Sequence, residues 1–178
     1  MAEASGKVWL RQAWSDLEAA RTLRVRKRPE FCCQVVSKCQ QTVEKSIKAV
    51  VAALVEQGVL ASTIGRKHGT TRFFSQLLRR SPQKPQTKLQ GQICGLLNEH
   101  RRAEITALEN LTPKWPAPGR LFPRNTEYPF QLSDGTWCAP ADANSFDWNR
   151  DVDRFCSLAE DLCRGCARIV SLSVREPV

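Results

Sequence analysis

The stretch that decides the fold is Glu30–Gln57, EFCCQVVSKCQQTVEKSIKAVVAALVEQ. Its apolar positions are Cys32, Val36, Cys39, Val43, Ile47, Val50 and Leu54, and they recur in steps of four and three residues. That rhythm lays one apolar stripe along an α-helix packed in a bundle. Pro29 sits where its fixed φ suits a first helical turn, and Glu30 brings an anion to the positive end of the helix. Gly58 follows where a left-handed cap is expected. The opposite face carries Gln40, Gln41, Glu44, Lys45 and Lys48. The spacing places Lys45 and Lys48 together on that polar face, available to a groove.

Working outward, Trp9, Leu10, Ala13, Leu17 and Ala20 give a helix over about 8–24. It ends in the basic cluster before Pro29, because a proline disfavours helix at the preceding residue. Trp9 and Trp14 are five residues apart, too far round a narrow stripe for both to be buried easily. A short third helix is expected over 70–80, with Phe73, Phe74, Leu77 and Leu78 apolar. A fourth covers 87–109 on the stripe Leu89, Ile93, Leu96, Leu97 and Ile105, weakened by Gly91 and Gly95. Residues 111–144 hold six prolines and no periodicity, so they read as an irregular segment, but their aromatic residues argue for packing against the bundle. The last helix spans about 145–172, with Val152, Phe155, Cys156, Ala159, Leu162, Cys163, Cys166, Ile169 and Val170 on one side. The expected fold class is all-α, an up-and-down bundle of four to five helices in a single domain over residues 1–178.

Composition bounds the function. The chain has 178 residues, a hydrophobic fraction of 42% and a charged fraction of 25%, which fits one folded domain and excludes a wholly disordered chain. The longest apolar run, Ala49–Val55, is far short of the ~18 residues of a membrane span. The first residues lack the basic-then-apolar pattern of a secretory leader, so a soluble cytoplasmic protein is expected. The net charge is +9, unevenly spread. Residues 1–102 hold 19 Lys and Arg against 7 Asp and Glu, whereas residues 103–178 hold 8 against 11. A basic half suggests anionic partners such as nucleotides or RNA, or else charge pairing inside the molecule.

The eight cysteines read as reduced core thiols, since most lie on helical stripes. Cys163 and Cys166 form a C-x-x-C, but a structural zinc site needs a second close ligand pair and none is evident, so no metal is expected. There is no G-x-S-x-G nucleophile elbow and no glycine-rich phosphate loop. General-base chemistry by histidine would fall to His68 or His100 alone. Phosphate would have to be held by side-chain cations, which suffice chemically, while an aromatic face could stack a base.

Three segments together resemble the HEPN family of helical domains. They are WLRQAWSDLEAAR (Trp9–Arg21), QQTVEKSIKAVV (Gln40–Val51) and RNTEYP (Arg124–Pro129), in the family's order. The combination is most similar to the sacsin type of HEPN domain. The resemblance implies a helical bundle that forms homodimers. It also implies one of two roles. Some members are metal-independent ribonucleases marked by an Arg followed four to six residues later by His, a pattern missing around Arg66, Arg124 and His100. Others are binding domains, some proposed to take nucleotides in a basic cavity. The expected function is therefore a non-catalytic, homodimeric domain that binds a nucleotide (ATP or GTP) or another anion, with no required cofactor. The implied ligand residues are Gln41, Lys45, Lys48, Arg124 and Tyr128. The alternatives are a module for chaperone-type protein partners and an atypical ribonuclease. The family's Arg-Tyr-Pro is broken here by Asn125, Thr126 and Glu127, which displaces Arg124.

Overall fold

The structure, a computed structural model, describes residues 5–58, 88–110, 130–131, 134–141 and 146–173. Helix α1 spans Gly6–Val25 and α2 spans Cys32–Glu56, joined through a 3-10 turn at Pro29–Phe31. Helices α3 (Lys88–Leu96) and α4 (Glu99–Glu109) follow, and α5 (Asp153–Ser173) closes the bundle. The protein is all-α in architecture, as the periodic stripes predict. The expected helix over 70–80 lies outside the described residues.

Helix α2 is the axis of the bundle. Every residue of its predicted stripe is buried, and Val35, Thr42, Ser46, Ala49 and Ala53 are buried besides, so the helix is enclosed on more than one side. Helix α1 lies along one flank, α5 along another, and α4 touches it through Gln40, whose amide donates to the Leu108 carbonyl at 2.7 Å. The predicted stripe of α5 is likewise buried from Val152 to Val170. Each fully buried Leu, Ile or Val contributes about 1.5–3 kcal/mol, so the α1–α2–α5 core supplies the main driving force. Gly58 adopts φ 71° directly after the α2 C-cap and closes the helix as its position predicts.

Three features differ from the sequence reading. The expected helix over 87–109 is two helices. Asn98 leaves the helical conformation, with ψ 168°, and its side chain accepts from the Arg101 amide at 3.0 Å. A side-chain cap offers the backbone a new start, and this outweighs continuation. The last helix does not begin near 145. Asp147 caps a wide turn at Trp148–Val152 by accepting from the Arg150 amide at 2.5 Å, and the regular α5 starts at Asp153. Within the segment read as irregular, Phe130–Gln131 pairs antiparallel with Trp137–Cys138. Gly135 at φ 86° and the Asp134 carboxylate, which accepts from the Thr136 amide at 2.9 Å, reverse the chain between them. The remainder of residues 111–144 lies outside the described residues, apart from 134–141. Among the described residues no helix is long and apolar enough to cross a membrane.

Lys27 ends α1 in the left-handed region, at φ 47°. That conformation costs an L-residue with a side chain roughly 1–2 kcal/mol, which glycine avoids at an entropic cost of about 0.5–1 kcal/mol. Lys27→Gly is therefore expected to stabilise the fold by up to about 1 kcal/mol. A raised urea midpoint with an unchanged slope checks this; a lowered midpoint refutes it.

Candidate anion-binding site

The polar face of α2 is not an open groove. Helix α1 covers it, and its cations are already engaged. Asp16 of α1 is buried between Lys45, which forms a short ion pair with it, and Lys38, whose ammonium lies 3.3 Å away. Gln41 accepts from Lys38 at 3.0 Å. Lys48 is only 4% exposed; its ammonium pairs with Glu44 at 2.5 Å and sits 4.9 Å from the centre of the Trp9 ring. A desolvated ammonium over an indole face gains cation–π energy that a surface lysine would not. Thus three of the residues assigned to a ligand, Gln41, Lys45 and Lys48, are brought together, but as a seam between helices. Arg124 and Tyr128 lie outside the described residues. Trp9 and Trp14 are both partly buried against the core, so the apolar stripe of α1 is broad enough to take in both. The exposed large apolar residues of α1 are Val8 and Val25.

A different cluster of cations remains available. Where α3 and the start of α4 cross α5, they border an open cavity of about 360 Å³ whose charged lining is Arg101, Arg164, Arg168 and Asp161. The crossing is close because position 165 is glycine. A Cβ there would stand 2.3 Å from Leu96 Cδ1, so any larger residue would push Leu96 across the cavity floor. Asn98 sets the direction of α4 and thereby delivers Arg101 to the rim; the Arg101 guanidinium reaches back to the Leu96 carbonyl at 3.5 Å. Arg164 and Arg168 are four residues apart on α5 and share one face.

The pairing of these arginines is incomplete. Arg164 reaches Glu160 at 2.5 Å, but Arg21 of α1 also holds that carboxylate at 2.9 Å. The hydrogen bond from Arg21 is the main reason the Glu160 carboxyl is held below its usual range. Arg101 stands 3.6 Å from Asp161, too far for a hydrogen bond. Arg168 makes no ion pair among the described residues. Gln92 adds a buried side-chain oxygen with no hydrogen-bond partner among the described residues. Three guanidiniums against one lining carboxylate make a cavity suited to an anion, and guanidinium forks match phosphate oxygens well.

Sequence reasoning did not single out these arginines. Arg101, Arg164 and Arg168 are distant in sequence or merely one helical turn apart, and only the α3–α5 crossing gathers them. A usable signal was present in Arg164-Gly165 and Arg168, where a glycine inside a periodic helix marks close approach of a neighbour.

The remaining candidates are structural. His100 is 83% exposed, 3.7 Å from Glu104, and His68 lies outside the described residues. Cys163 and Cys166 are buried in the core, and burial pushes both thiols up. Cys39 and Cys156 meet at 3.6 Å between α2 and α5. The contact holds the Cys39 thiol well above its ordinary range, and the hydrogen bond it gives draws Cys156 down. All the cysteines are free. No three His, Cys, Asp or Glu side chains gather as metal ligands among the described residues.

This bundle, with its polar α2 seam, is matched by the family model of the HEPN domain over residues 7–104, more than half of the chain. The chain belongs to the HEPN family. No curated protein and no solved structure matches it. Three of the four charged cavity residues lie on α5, beyond the matched stretch.

The seam makes a direct prediction. Removing Asp16 leaves Lys45 and Lys38 facing each other without an anion. Asp16→Ala is expected to cost about 3 kcal/mol, the low end of the ~3–5 kcal/mol lost when a buried pair loses one partner, because both lysines keep some contact with water. Chemical denaturation measures it; a loss of under about 1 kcal/mol, typical of exposed pairs, would show that the seam is only a surface feature.

Proposed function

We propose that this HEPN domain is a non-catalytic binding module for a nucleotide or a similar organic anion, acting as a homodimer. The observation that carries the reading is the arginine-lined cavity between α3, α4 and α5, with Arg168 left without a counter-charge among the described residues. Its volume of about 360 Å³ falls within the ~300–1,000 Å³ of small-molecule sites. The non-catalytic part rests on the sequence, which lacks the Arg-x4–6-His spacing through which HEPN ribonucleases activate and stabilise attack by a 2′-hydroxyl. The dimeric part rests on the family resemblance. In this reading the ligand cations are Arg101, Arg164 and Arg168, and Lys45 and Lys48 serve the helix seam.

Titration of the purified protein with ATP and GTP at two salt concentrations tests the reading. A charge-assisted contact to phosphate is worth about 1.5–3 kcal/mol, so Arg168→Ala should weaken binding by roughly ten- to a hundredfold. Arg11→Ala, which removes an exposed cation on α1, should change it by less than about fivefold. Equal small losses in both variants would mean diffuse electrostatics and no discrete site. Light scattering at tens of micromolar, about the range where a specific micromolar dimer is populated, is expected to give twice the 20.1 kDa chain mass; a monomer throughout refutes the dimer.

A further inference from the structure

The cavity contains a group that does not suit a bare anion. Asp161 lines it beside the three arginines, and its side chain is 63% exposed, so the carboxylate is open to whatever enters. Arg101 forms an ion pair with it at 3.6 Å, without a hydrogen bond, so its oxygens keep their acceptor sites. An ionised carboxylate only accepts hydrogen bonds. Next to a phosphate it repels; next to a hydroxyl or amino group it attracts. Specificity often rests on such a repulsive element placed among attractive ones.

We propose that Asp161 is a specificity-determining residue that makes the cavity select phosphate esters carrying a hydroxyl or amino donor over inorganic phosphates. This rests on the anion-binding reading above and deepens it. The phosphate chain lies against Arg101, Arg164 and Arg168, and the organic part of the ligand donates to Asp161. The polarity is built into α5: Asp161, Arg164 and Arg168 stand three, then four, residues apart, so one helix face offers an acceptor at one end and donors at the other. Bare phosphate and polyphosphate meet the arginines but leave the carboxylate facing negative charge. A sugar hydroxyl or a base amino group converts that repulsion into a charge-assisted hydrogen bond.

The test compares inorganic tripolyphosphate with ATP and GTP, without divalent cations, by calorimetry on wild type, Asp161→Asn and Arg168→Ala. In wild type the better nucleotide is expected to bind at least about tenfold more tightly than tripolyphosphate, the equivalent of one hydrogen bond to a charged group. Asp161→Asn removes the charge and keeps the shape. Tripolyphosphate should then bind more tightly, while the nucleotide gains less or loses, so the preference shrinks to within about threefold. If Asp161 only neutralises Arg101, both ligands gain equally and the preference stands, which overturns the proposal. A wild type with no preference also overturns it. Arg168→Ala separates the two levels. When it weakens every ligand but Asp161→Asn leaves the preference intact, the cavity binds anions and the selectivity proposal fails. When it weakens none, the cavity reading itself fails. Because Asp161 is largely exposed, its substitution is expected to leave the thermal midpoint unchanged, and that measurement keeps folding apart from binding.

Discussion

Everything in this structure depends on enclosing α2. A helix with a polar face normally turns that face to water, but here α1 lies on it, and the lysines must be neutralised where they stand. Asp16 takes Lys38 and Lys45, and Glu44 with the Trp9 ring takes Lys48. An unpaired ammonium at Lys48, with 4% of its surface exposed, would cost far more than the modest value of a surface pair. The seam therefore fixes the register of α1 against α2, because a shift by one turn would strand at least one charge. With that register set, the far side of α2 is left to α5, and Cys39 meets Cys156 across it.

The lopsided charge of the chain follows the same logic. The basic first half sends arginines to the carboxylates of a helix that carries both signs of charge, Asp153, Glu160 and Asp161 beside Arg154, Arg164 and Arg168. Arg21 reaches Glu160, Arg24 reaches Asp153 and Arg101 approaches Asp161, so part of the excess of the first half is met inside the molecule. These pairs are partly exposed and individually worth little, about 0–1 kcal/mol, yet they orient α5. Glu160 is shared between Arg21 and Arg164, and Arg168 keeps no counter-charge among the described residues. The cavity with an anion-binding character is thus the remainder of a charge distribution that first serves folding.

The helices, their apolar stripes and the family were legible from the sequence because they are local. Period, capping glycine and proline position depend on neighbours within a few residues, and they give the bounds of α2 within two residues and the buried stripe, though not the start, of α5. The breaks at Asn98 and Asp147 were missed for a related reason. A cap residue gives a weak local signal, and an apolar stripe that continues past it outweighs that signal. The C-x-x-C was read as core, and its thiols are indeed buried.

What the sequence determined by itself was the all-α class, the apolar stripes of α2 and α5 and the HEPN family, since each is written as periodicity or as a contiguous motif. What only the tertiary structure decided was which cations face an open cavity. Lys45 and Lys48 share a helical face, but a face acquires a meaning only from what packs on it, and α1 turned that one into an interior seam. Arg101, Arg164 and Arg168 carry no contiguous motif, and they become one site because Gly165 lets α3 approach α5 closely enough to form an open cavity between them. Charge neutralisation acts through space over a few ångströms, and spacing along the chain does not encode that distance.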